Sequence, residues 1–120
     1  VSAFVGDGAN RWPAVHRHDA ARLFRLVVES APAGSALHAV AEEGIAFRDI
    51  AAAIATRLGL PTESRATDHF GLLAPLAGLD SPTSSALTRS RLGWRPTGPA
   101  LIEDISAGIY SDAEMPGERR

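Results

Sequence analysis

Two segments of this chain place an apolar side chain at every third or fourth position, and the apolar runs between them are too short and too few to build a full sheet. From Asp19 onward, Ala20, Leu23, Phe24 and Val27 follow the spacing i, i+3, i+4, i+7, while Arg22, Arg25 and Glu29 fall on the opposite side. The pattern predicts an amphipathic helix with Asp19 as its N-cap, a carboxylate that accepts a free backbone N–H, and with Pro32 and Gly34 as its stop. Phe47, Ile50, Ala51, Ile54 and Leu58 repeat the period, and Gly59 followed by Pro61 supplies the signals of a helix end. Residues 13–16 and 36–40 read as short strands, with Glu42, Glu43 and Gly44 as a turn and residues 61–67 as polar and turn-prone.

Residues 68–77 carry Phe70, Leu73 and Ala77 on one side of a third helix that Pro75 interrupts. A short helix starts at Ser84 or Ser85, capped by a serine hydroxyl, and ends at Gly93. Pro99 then occupies a first helical turn, followed by Leu101, Ile102, Ile105 and Ile109 on one face. The expected fold is an α-rich α/β domain over residues 1–110, with about two short strands and four to five helices, followed by a disordered tail over 111–120. So few strands cannot close an open parallel sheet, and the reading is of a partial domain.

A length of 120 residues fits one domain, and an aromatic content of 6% with many alanines implies a core of small and aliphatic side chains. The net charge of -2 sets up no field for nucleic acid or an anionic membrane, and the basic residues are all arginine. The absence of cysteine removes disulfides, thiolate nucleophiles and cysteine zinc sites. No apolar run reaches the roughly 18 residues of a membrane span and no signal-peptide pattern opens the chain, so a cytoplasmic protein without membrane or nucleic-acid partners is expected.

Several residue groups invite a chemical reading. Gly6, Asp7 and Gly8 resemble the start of a dinucleotide turn, but the third glycine position holds Arg11 and no acidic ribose ligand follows a βα unit. They read as an exposed loop. His16, His18 and Asp19 have a metal-like spacing, yet His38 and His69 lie at unrelated places, so a strand beside a helix cap is favoured. No G-x-S-x-G elbow is present. Arg89, Arg91 and Arg95 read as a solvated or ion-pairing surface, Trp94 as an anchor for the turn after Gly93, and Phe24, Phe47 and Phe70 as core.

Three segments together carry a resemblance. Residues 14–21 (AVHRHDAA) form a strand-to-helix passage through a His and an Asp. Residues 36–60 run from "HAV" through a turn to a helix closing on Leu-Gly-Leu, with Pro61 next. Residues 84–96 (SSALTRSRLGWRP) end on an LGW-x-P signature. In this order they resemble the C-terminal, substrate-binding portion of the extended short-chain dehydrogenase/reductases, the NAD-dependent epimerase/dehydratase class.

The resemblance implies a Rossmann-related oxidoreductase or epimerase parent that uses NAD or NADP. It also implies that this chain holds no cofactor site of its own. The family's Tyr and Lys, four residues apart, find only Tyr110 and Glu114 here, and the chain has no lysine. With its opening at Val1 already in a loop, the chain is expected to be a fragment, inactive alone, that lacks an N-terminal nucleotide-binding half. The same resemblance places Asn10, Arg11, Trp12 and His16 beside a small-molecule substrate. Family members acting on nucleotide sugars often carry an arginine where Trp12 stands, and Arg11 one residue earlier faces the other side of a strand. A smaller or more apolar substrate follows. The alternative is a non-catalytic interaction or small-ligand-binding module that associates with itself through uncovered apolar surface.

Overall fold

The computed structural model describes residues 1–108 and confirms a small, α-rich α/β architecture. In chain order the elements are β1 (Ser2–Val5), β2 (Arg11–Ala14), α1 (Arg17–Ser30), β3 (Glu42–Ala46), α2 (Phe47–Leu58), β4 (Thr62–Arg65), a 3₁₀ segment (Thr67–Leu73), α3 (Ala74–Ala77), α4 (Ala86–Leu92) and α5 (Leu101–Ser106). The strands form two separate two-stranded sheets: β1 pairs with β4 in parallel, Ser2 beside Thr62 through Val5 beside Arg65, and β2 pairs with β3 antiparallel. The β2–β3 register shifts between Trp12 and Ala14, where Pro13 has no N–H to offer the ladder.

Four strands replace the expected two. Residues 36–40 are not a strand; that apolar run passes under α4, where Ser85 Oγ donates to the Val40 carbonyl and Thr88 Oγ1 to that of His38 at 2.9 Å. Side-chain hydroxyls take the place of a ladder. Conversely the polar stretches read as turns, around Glu42 and across 61–67, are strands β3 and β4, because partner strands rather than side-chain pattern decide them. At the opening, where a loop leading to a strand was expected, Ser2–Val5 already form β1.

The helices follow the apolar period more closely. α2 runs from Phe47 to Leu58 and ends at Gly59 in the left-handed conformation (φ 68°), buries Ala51 and Ala55, and packs against β1 and α5. The carbonyl of Ala51 accepts Ser2 Oγ at 2.7 Å, tying α2 to β1. α4 ends as expected at Gly93 (φ 64°). Ser84 rather than Ser85 gives its hydroxyl to the start of α4, accepting the N–H of Ala86 at 3.2 Å. The third helix is broken, with Gly71 at φ 55°, ψ -121° kinking the 3₁₀ segment that precedes the short α3. α5 starts at Leu101, so Pro99 precedes it, and Ile109 with the expected tail over 111–120 lies outside the described residues.

The core is thin. Among the described residues the buried apolar side chains are Leu23, Val40, Ala51, Ala55, Ala77 and Trp94. Phe24, assigned to the core by its helical position, is 68% exposed and lies at a groove between α1 and Leu37 and Ala39. Phe47 and Phe70 are half-buried and meet edge to face at 6.4 Å.

Candidate functional site

Asp19 is the residue on which two distant segments meet. α1 begins two residues before it, with His16 as N-cap, so Asp19 lies inside the first turn and does not cap the helix. Its carboxylate reaches across to the loop before α5, where Oδ1 accepts the Thr97 N–H at 2.9 Å and Oδ2 the Gly98 N–H at 2.8 Å. Arg22, one turn on, donates to Oδ1 and to the Arg95 carbonyl at 3.1 Å. Trp94, 1% exposed, donates its indole N–H to the Asp19 carbonyl at 2.9 Å. Burial works to raise the pKa of this carboxyl. The Thr97 and Gly98 amides, and then Arg22, outweigh burial and hold the group below its ordinary value.

This knot shapes one wall of a cleft of about 210 Å³ between the start of α1, β3 and α5. His16 stands on that wall. Its Nδ1 accepts the N–H of His18 at 3.2 Å, which leaves Nε2 as the protonated nitrogen of the neutral ring, 3.6 Å from Oδ2 of Asp104. That separation exceeds a hydrogen bond. Asp104, 2% exposed, keeps its other oxygen without a hydrogen-bond partner among the described residues. Glu42 also lines the cleft and receives the Leu101 N–H at 3.3 Å, serving as the cap that Ala100 cannot provide. Arg89 closes the opposite side, its Nε on Ser85 Oγ at 3.0 Å and its Nη2 on the Ala41 carbonyl at 3.0 Å, 6.0 Å from the Trp94 ring.

At Gly98 the loop packs directly against the start of α1. A Cβ there would lie 2.9 Å from Asp19 Oδ2 and 2.9 Å from both Cβ and Cγ of His16. Only glycine lets the loop approach the cap residue and the carboxylate together.

The four residues expected at a substrate divide into two places. Asn10, Arg11 and Trp12 hold the loop after α3: Asn10 Nδ2 donates to the carbonyls of Ala77 at 3.1 Å and Leu79 at 3.0 Å, and Trp12 Nε1 to that of Leu79 at 3.2 Å. Arg11 forms a two-point pair with Asp80, Nε to Oδ1 and Nη2 to Oδ2, each 3.2 Å, which raises the arginine's pKa and lowers the aspartate's. Trp12 also meets Phe47 edge to face at 4.9 Å. His16 alone of the four lines the cleft. Asp104 and Glu42 were not identified from sequence. The available signal was Asp104 itself, a carboxylate three residues after Leu101 beside the apolar stripe of α5, where a charge needs compensation.

Among the described residues no group of three or more His, Asp or Glu side chains is arranged to hold a metal ion. No helix among them is long and apolar enough to cross a membrane.

No family model matches the sequence, and no solved structure matches it. Two curated proteins do. The chain is 52% identical over 114 residues, 92% of its length, to the uncharacterized protein C2A9.02 of Schizosaccharomyces pombe, of which those residues make up 39%. It is 47% identical over 110 residues, 88% of its length, to the uncharacterized protein YLL056C of Saccharomyces cerevisiae, of which they make up 37%. The chain therefore spans less than two-fifths of the length of the relatives it matches.

Proposed function

We propose that this chain is the substrate-side portion of an NAD(P)-dependent oxidoreductase or epimerase of the extended short-chain dehydrogenase class, and that it is inactive alone. The observation that carries this reading is the knot at Asp19. The His-Arg-His-Asp passage and the LGWRP stretch, which carry the resemblance in sequence, are joined in space by Trp94, Thr97 and Gly98 on one aspartate. The parallel β1–β4 pair supports it further. Parallel strands are stable when both faces and edges are covered, and two of them alone make a fragment of a sheet.

In this reading the dinucleotide site and the Tyr and Lys that move the proton belong to other segments of a longer protein. This chain supplies the wall around His16 and the segment of Asn10, Arg11 and Trp12 at the start of β2. That segment has a positioning part in this reading, which is supported by the engagement of its polar atoms with Leu79 and Asp80. Titrating the chain into NADH while following nicotinamide fluorescence is expected to show no saturable binding. Saturation at low micromolar concentration would overturn the reading.

A second reading, an interaction module that associates with itself, is favoured by one feature. Leu72, Leu73, Leu76 and Leu79 are 100%, 61%, 49% and 48% exposed on consecutive turns. Such contiguous apolar surface drives association.

A further inference from the structure

We propose that the cleft between α1, β3 and α5 is a binding site for a small organic monoamine, whose ammonium group pairs with the carboxylate of Asp104. The inference shares His16 with the reading above but rests on side chains of this chain alone.

The first ground is the state of Asp104. Its carboxylate is 97% buried by side-chain area, one oxygen has no hydrogen-bond partner among the described residues, and the other has only His16 at 3.6 Å. A buried carboxylate in that condition carries a desolvation cost without the bonds that normally offset it, and a cation with N–H donors supplies both charge and bonds. Asp104 is one of the residues that line the cleft, so an ammonium group bound there meets its carboxylate.

The second ground is the charge of the lining. Asp104 and Glu42 face one guanidinium, that of Arg89, which is already bound to Ser85 and the Ala41 carbonyl. Acceptors are in excess, so a cationic ligand is preferred to an anionic one. Arg89 opposes a second positive charge, which selects a monoamine over a diamine. Val15, Pro99 and Leu101 supply apolar wall for a short alkyl chain, and about 210 Å³ limits the ligand to a few carbon atoms.

The test is a proton NMR titration of the whole chain with propylammonium chloride, following the His16 imidazole resonances, with 1-propanol and potassium chloride as parallel arms. Propylammonium is expected to give a saturable shift where the alcohol and the salt give none. Asp104→Asn is expected to bind roughly ten- to a hundredfold more weakly, the scale of one charge-assisted hydrogen bond. Equal shifts with 1-propanol, unchanged affinity in Asp104→Asn, or no saturable shift up to about 10 mM would each overturn the proposal. If Asp104→Asn does not fold, the comparison of amine with alcohol on the unaltered chain decides. A failed amine titration leaves the NADH result untouched, and the reverse is equally true.

Discussion

Replacing Asp19 by Asn removes the charge from the carboxylate that ties α1 to the loop before α5 while keeping its shape. The aspartate accepts two backbone amides, from Thr97 at 2.9 Å and Gly98 at 2.8 Å, on different oxygens, and pairs with Arg22. An asparagine offers one carbonyl oxygen to those two amides and turns its own N–H donors toward the other. One backbone N–H in a half-buried loop then loses its partner, and the remaining bond changes from charge-assisted to neutral. Each loss costs about 1–2 kcal/mol, so Asp19→Asn is expected to destabilise the chain by about 2–4 kcal/mol at pH 7. That is a large fraction of the roughly 5–15 kcal/mol that holds a domain folded.

The pH dependence follows from the same contacts. The folded carboxyl is held below its ordinary value of 3.8, so its contribution is fully present above that value and is lost as pH falls through the lower, folded one. Below about pH 4 the unaltered chain should therefore weaken more steeply than Asp19→Asn, which keeps only the acid slope of other depressed carboxyls such as Asp80, and the difference between the two should shrink. Urea unfolding followed by tryptophan fluorescence, at pH 7 and in steps toward pH 2, measures both quantities, since buried Trp94 reports on the site itself. An unfolding free energy within about 0.5 kcal/mol of the unaltered chain at pH 7, or an acid slope as steep in Asp19→Asn as in the unaltered chain, would refute the reasoning.

Gly98→Ala is expected to lower stability by about 1–3 kcal/mol and shift the His16 ring resonances, because the new Cβ meets Asp19 and His16 at 2.9 Å; thermal melting and the histidine region of the proton spectrum check it. An unchanged melting temperature would show that the loop yields freely. The double change Leu72→Glu with Leu76→Glu should alter stability by no more than about 1 kcal/mol, since both side chains are exposed, while reducing any concentration-dependent association in sedimentation velocity. Association that persists unchanged would remove this face from the self-association reading.

The periodic segments were legible because their pattern is local. Phe47 to Leu58 appears as a helix with the expected start and the expected glycine stop, since a 3.6-residue period and a left-handed C-terminal glycine are properties of adjacent residues. The strands were not. Glu42 to Ala46 and Thr62 to Arg65 contain little β-forming pattern, and their pairing with β2 and β1 is a contact between residues 28 to 60 positions apart. The apolar run at 36–40 shows the converse: its carbonyls at His38 and Val40 are taken by hydroxyls from α4, so burial did not require a ladder.

The candidate site divides in the same way. His16 and Asp19 could be singled out from sequence, and Trp94 could be expected to anchor its turn, because each sits at a helix boundary with a local signature. That Trp94, Thr97 and Gly98 close on Asp19, more than seventy residues away, is decided by the packing of the loop before α5 onto α1. The same packing seats Asp104 opposite His16 and makes a cleft of residues from five separate stretches of chain. Sequence alone determined which stretches are the main helices, the glycine stops of α2 and α4, and which residue types were available for chemistry, since short-range sterics and backbone hydrogen bonding set those. Which carboxylate is satisfied and which is left without a partner depended on contacts that exist only once distant segments have been brought together and water has been excluded between them.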